Sequence, residues 1–161
     1  MKLKNGDVLI CKADRIIPNL IKKATGSEWN HSAIYVECWD MAGVVEAQPD
    51  GINWKPFEAW ERQYNYTYLA YRNDISVPRY IARKAMSKAG HTGYDFVSFL
   101  IRQPFKLLTG RWRKRGQKKE EKKMICSEFV GWVYDMPNWW KMTPDDQLKY
   151  LEKSFNWKLV N

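Results

Sequence analysis

Three side chains in this 161-residue sequence have the types that acyl transfer needs: the thiol of Cys126, the imidazole of His31 and the carboxylate of Glu46. A cysteine nucleophile requires a base within hydrogen-bond reach and a third group that holds the base in the right tautomer. Cys126 stands out among the three cysteines by its setting. Downstream of it, Phe129, Val130, Val133 and Tyr134 recur at spacings of three and four, the stripe of a helix packed on a core. The spacing predicts a helix from about Cys126 to near Met136, since Pro137 cannot continue it. Cys126 then sits where the helix begins, against unpaired N–H groups and the positive end of the macrodipole, and both favour thiolate over thiol. A lone cysteine more often only packs. What changes that reading lies upstream.

Two histidines are present. His91 lies in a polar turn, Gly90-His91-Thr92-Gly93, and ranks well below His31 as a base. His31 opens the segment Trp29 to Glu37, whose alternation puts Ser32, Ile34 and Val36 on one face of a strand and His31, Ala33 and Tyr35 on the other. A turn through Asp40 to Gly43 leads to Val44-Val45-Glu46-Ala47, the antiparallel partner strand. If the hairpin loop holds an even number of residues, His31 and Glu46 point to one face, opposite or diagonal to each other. Glu37 shares the face of His31 but lies roughly 20 Å along the same strand, too far for contact. Glu46 is the better orienting acid.

Other elements must position these groups. Asp7 to Cys11 reads as a short buried strand after the Asn5-Gly6 turn. Ile16, Ile17, Leu20, Ile21 and Ala24 form a helical stripe with Pro18 in its first turn and Gly26 as cap. Residues 50–65 read as an irregular, Trp-rich connection with a helical turn around Glu58 to Arg62. Thr67 to Arg72 forms a third strand, and Pro78 opens a helix through Ile81, Ala82, Ala85, Met86 and Ala89, closed by Gly90. An apolar helix follows from about Phe96 to Leu108. Thr143-Pro144-Asp145-Asp146 starts a helix running to about Ser154, and Phe155 to Val160 closes the chain as a strand. Strands come early and helices late, which predicts an α+β domain: one antiparallel sheet or open barrel with helices packed against it.

The chain length fits one domain able to bury a core without staples. Three scattered cysteines argue for reduced thiols rather than a disulfide framework. No apolar run reaches bilayer-spanning length, and a turn precedes the first apolar segment, so neither a membrane span nor a signal peptide is expected. These features point to a cytoplasmic protein, with membrane-peripheral attachment or non-classical release left open. The net charge is +9, and the segment 111–123 carries eight basic residues against Glu120 and Glu121, a net +6. The charge belongs to a basic insertion at about 109–123 rather than to the fold. Such a loop could meet an anionic membrane surface or an acidic polymer, or stay solvated with no dedicated partner.

Gly6-Asp7-Val8-Leu9, Trp29-Asn30-His31-Ser32-Ala33-Ile34, Val45-Glu46-Ala47, Gly93-Tyr94-Asp95 and Ile125-Cys126-Ser127-Glu128-Phe129 occur in that order. This ordered set resembles the circularly permuted papain-like cysteine hydrolases related to the NlpC cell-wall peptidases, in their YiiX/YaeF-like branch, over roughly residues 5 to 135. The resemblance implies a permuted papain-like fold, with Cys126 as nucleophile, His31 as general base and then acid, and Glu46 as orienting carboxylate. It implies an amidase or esterase working through a thioester on a cell-wall peptide or an acylated lipid or lipopeptide. Asn30 stands where the family usually has Ser, and Ser32-Ala33 replaces the common Val-Gly, so substrate contacts near His31 are expected to differ.

Other chemistries are less well served. No C-x-x-C or H-x-x-x-H spacing occurs, so no metal and no other cofactor is expected. A nucleic-acid module would explain the charge and the nine Trp and nine Tyr residues, but most of the charge sits in one loop and no binding motif appears. Phe99, Leu100, Phe105, Leu107 and Leu108 beside the cationic cluster could instead anchor the chain at an anionic membrane. The sequence is silent on oligomeric state and on hydrolysis versus transfer to an acceptor.

Overall fold

Alternating burial on both faces of one sheet organises the chain. In the computed structural model, which describes residues 2–12, 28–38, 40–65, 67–95, 109 and 122–160, eight strands are assigned. They are β1 (Val8–Cys11), β2 (His31–Cys38), β3 (Met41–Gln48), β4 (Gly51–Pro56), β5 (Tyr68–Asn73), β6 (Gly93–Tyr94), β7 (Lys123–Met124) and β8 (Trp157–Leu159). Six form an open antiparallel sheet in the order β4-β3-β2-β1-β5-β8, while β6 and β7 make a two-residue parallel pair. Among the described residues four α-helices accompany them: α1 (Phe57–Gln63), α2 (Pro78–Met86), α3 (Cys126–Val133) and α4 (Pro144–Lys153). The chain is α+β, an open antiparallel sheet with helices packed on it.

Val8, Ile10, Ile34, Val36, Val45 and Ala47 face the larger core, which they share with Ile81 and Ala85 of α2, Phe129, Val130 and Val133 of α3, and Leu148 and Leu151 of α4. Leu9, Cys11, Ala33, Tyr35 and Val44 face a smaller core closed by Trp60 and Tyr64 at α1. Both faces of β1 are therefore buried, which is why its sequence is apolar without interruption.

The helix ends follow their local chemistry. The Ile125 N–H donates to the Glu128 carboxylate at 3.2 Å and so fixes the start of α3. At its other end Met136 N bonds Gly131 O at 2.8 Å and Asp135 N bonds Trp132 O, with Asp135 in the left-handed region at φ 51°. This is a Schellman closure, so the helix stops before Pro137 acts. In α4, Thr143 Oγ1 accepts from Asp146 N at 3.1 Å while the Asp146 carboxylate accepts from Thr143 N at 3.0 Å.

Two expectations need correction. Residues 51–56 are not irregular: they form β4, paired with β3 from Gly43↔Pro56 to Gln48↔Gly51. The strand exists because its partner has room for it. A Cβ on Gly43 would lie 2.2 Å from Trp54 Nε1, so the indole occupies the space that a side chain there would fill. On its other edge, Ile52 N donates to Thr92 O at 2.9 Å and Gly90 N donates to Ile52 O at 2.8 Å. The second correction is to α2, which ends at Met86 rather than at Gly90; turns occupy the interval. The expected helices over 16–24 and 96–108 and most of the basic segment lie outside the described residues. Among the described residues, no helix is long and apolar enough to cross a membrane.

Candidate active site

Cys126 is the first residue of α3 and is 4% exposed. Its sulfur takes hydrogen bonds from the backbone N–H groups of Ser32 and Ser127 and is hydrogen-bonded to the His31 ring. The Ser127 donor is one of the unpaired N–H groups of a helix start. The Ser32 donor is available because the β2–β3 ladder begins at Ala33↔Glu46, one residue beyond it. Burial pushes the thiol up, but the neighbouring imidazole and the two N–H donors outweigh it, and the Cys126 pKa falls below the ordinary thiol value.

His31 is the first residue of β2 and is buried. Its ring lies flat on that of Tyr64, just past the end of α1, with centroids 5.2 Å apart and planes 10° apart. Nε2 lies 2.7 Å from Glu46 Oε2, so Nδ1 is the ring nitrogen left for the sulfur. Burial pulls the His31 pKa down, but the Cys126 sulfur and the Glu46 carboxylate together raise it to about 10. Each group therefore favours the charged form of the other, thiolate beside imidazolium.

Glu46 follows from register. The β2–β3 loop holds two residues, between Cys38 and Met41, and Ala33 pairs with Glu46. His31, two residues before Ala33, is then the diagonal neighbour of Glu46 on the same face. The carboxylate is fully buried, and Oε2 accepts from His31, from Trp60 Nε1 at 3.0 Å and from Tyr64 Oη at 2.9 Å. Its other oxygen, Oε1, is ion-paired with Lys55 Nζ at 2.7 Å. Burial raises the Glu46 pKa, yet His31 and Lys55 hold it down at about 2.

The structure thus brings Cys126, His31 and Glu46 into one hydrogen-bonded chain. The other candidate residues fall elsewhere. Cys11 lies opposite His31 in β1, its Sγ 3.8 Å from the His31 carbonyl oxygen; burial, then the Glu46 and Cys126 charges, push its pKa well up, so it stays a thiol. Cys38 and Glu37 occupy the far end of β2, and His91 is exposed in its turn. Asp7 of the Gly-Asp motif is structural: the Arg72 guanidinium grips both its oxygens, at 2.8 and 2.7 Å.

Four contributors escape the reading of the sequence: Lys55, Trp60, Tyr64 and the Ser32 N–H. Trp60 and Tyr64 carry a usable signal, two aromatics at helical spacing of four, but in a segment that reads as mostly irregular. Lys55 has none, because its role depends on β4 pairing with β3.

The sheet order, the helix placement and the His31–Glu46 hairpin can be set beside solved structures. The crystal structure of the metalloprotein YiiX from Escherichia coli O157:H7, a DUF1105 protein, superposes with a TM-score of 0.67, covering 100% of this chain and 98% of that one at 18% sequence identity. The chain has a YiiX-like fold. No protein-family model and no curated protein matches the sequence. At that identity the likeness to YiiX extends to fold alone.

Proposed function

We propose that this chain is a cysteine-dependent amidase or esterase with a permuted papain-like arrangement, acting on a cell-wall peptide or an acylated lipid or lipopeptide. The observation that carries the reading is the chain from the Cys126 sulfur through the His31 ring to the buried, four-times-contacted Glu46 carboxylate. Its order and protonation suit acyl transfer. The Cys126 thiolate attacks the substrate carbonyl, and the N–H of Cys126 at the helix start helps hold the oxyanion, a type of donor worth about 3–4 kcal/mol of barrier. His31 gives its Nδ1 proton to the leaving amine or alcohol as the carbonyl–heteroatom bond breaks. Neutral His31 then takes a proton from water, the resulting hydroxide cleaves the thioester, and the thiolate returns. Glu46 holds the ring throughout.

YiiX is named a metalloprotein. At this site both His31 ring nitrogens are engaged with Cys126 and Glu46, and among the described residues no group of three or more His, Cys, Asp or Glu side chains is arranged so that it could hold an ion. The donor set does not fit a metal, and no step runs through one.

The reading is tested with an electrophilic acyl probe on wild type, Cys126→Ser and His31→Ala. Labelling confined to Cys126, lost in the first variant and slowed at least ~100-fold in the second, supports it. Labelling at Cys11 or Cys38 instead would overturn it.

A further inference from the structure

Glu46 has a cation of its own besides the imidazole. Lys55 projects from β4, forms an ion pair with Glu46 Oε1 at 2.7 Å and donates a hydrogen bond to Gln63 Oε1 at 2.9 Å, at the end of α1. Two ties fix the ammonium, and its side chain is 25% exposed while the carboxylate is sealed. Oε2 already accepts three donors, so Lys55 is the Oε1 partner.

Resting on the acyl-transfer reading above, we infer that Lys55 is a positioning residue that keeps Glu46 ionised during the half of the cycle in which His31 is neutral. In the resting site two anions, Cys126 and Glu46, face two cations, His31 and Lys55. Acylation changes this balance: the sulfur becomes a neutral thioester and His31 loses its proton to the leaving group. Glu46 and Lys55 are then the remaining charges, inside a wall of Trp60 and Tyr64. A buried carboxylate without a cation is strongly disfavoured. Without Lys55 the carboxylate would hold the proton on His31, and that ring could no longer accept one from water. With an ester whose leaving group departs without a proton, Lys55 therefore acts on thioester breakdown more than on thioester formation. The groups facing His31 are Glu46 from β3, Cys126 from α3, Tyr64 from the end of α1 and Cys11 from β1; Lys55 reaches Glu46 from β4 and takes no part in the proton transfers.

The test uses the full chain, p-nitrophenyl acetate as acyl donor, and the variants Lys55→Met, Lys55→Gln and Lys55→Arg, each checked by thermal melting. In Lys55→Met the initial burst of nitrophenol and the alkylation of Cys126 by iodoacetamide persist. Steady-state turnover falls about tenfold at neutral pH, acetylated Cys126 accumulates by mass spectrometry, and the acid limb of deacylation moves up by about one pH unit. Lys55→Arg restores most of the turnover. If Lys55→Met does not fold, Lys55→Gln is read in its place. Turnover within twofold of wild type with an unmoved pH profile overturns the inference, as does a parallel loss of burst and turnover in a natively melting variant. Failure of wild type to acylate Cys126 sinks the acyl-transfer reading itself, a separate outcome.

Discussion

Tyr64 touches His31 and Glu46 with different parts of one side chain: its ring stacks on the imidazole, and its hydroxyl donates to the carboxylate oxygen that also faces Nε2. The same hydroxyl accepts from Gln48 Nε2 at 2.7 Å, and burial pushes its pKa upward, so it remains a donor at every working pH.

Tyr64→Phe keeps the stack and removes the donor. Turnover is expected to fall about 3- to 10-fold, in line with a net hydrogen bond of ~1 kcal/mol. Tyr64→Leu, which loses both contacts, falls further. Steady-state kinetics on the two variants, with melting temperatures alongside, separate the contributions. Equal losses in both would show that the hydroxyl, not the ring, sets the position of His31.

His31→Ala leaves Cys126 buried without its imidazolium. Burial then dominates, and the thiol pKa rises above its ordinary range. The rate of iodoacetamide alkylation at pH 6 should drop by at least ~100-fold and recover only in alkaline solution. A pH-independent rate equal to wild type would refute the ion pair.

Stability should depend on pH in a defined window. The Glu46 pKa lies at about 2 in the fold against an ordinary 4.5, so its contribution is present above 4.5 and is lost as pH falls toward 2. For His31 the fold raises the pKa from 6.5 to about 10, so its contribution is complete below 6.5 and is lost as pH rises through 10. Cys126, held below its ordinary value, gains with rising pH what His31 loses, so urea midpoints should rise through the acid range, stay level near neutrality and fall as pH rises through 10. Cys126→Ser removes the anion that helps hold the imidazolium, and the alkaline loss should begin at lower pH. A midpoint that keeps rising from pH 6.5 to 9 would contradict this.

Asp7→Asn should lower stability by about 1–3 kcal/mol through the weakened Arg72 contact, whose partner is itself partly exposed. Cys126 alkylation in the folded fraction should stay at the wild-type rate. Urea titration and labelling together distinguish a scaffold acid from one that acts on the sulfur.

Gly43→Ala places a methyl carbon where Trp54 now lies. The indole must move, β4 must shift with it, and Lys55 rides on that strand. A loss of about 1–3 kcal/mol is expected, read by thermal melting. Turnover should fall beyond what the folded fraction accounts for.

These positions also mark how far the sequence is legible. The start of α3 at Cys126, its end before Pro137 and the Thr143 cap of α4 are set by residues within a few positions of each other, and local chemistry decides them. The pairing of His31 with Glu46 is legible for a related reason: a two-residue turn fixes parity, and parity fixes the face. β4 is not legible, since Gly51, Asn53 and Pro56 read as loop residues and only the recess at Gly43 makes the strand fit. Lys55 and the Ser32 N–H are hidden with it. Each depends on where a ladder begins or which strand lies beside another, and no short window of sequence records that.

His31 and Ser32 are neighbours in the chain, yet both grip the Cys126 sulfur, one through its side chain and one through its main chain. A rigid displacement of the first two residues of β2 would carry both away at once. Reactivity at the sulfur should then behave as a latch with two settings, full or absent, rather than as a dial that weakens by degrees.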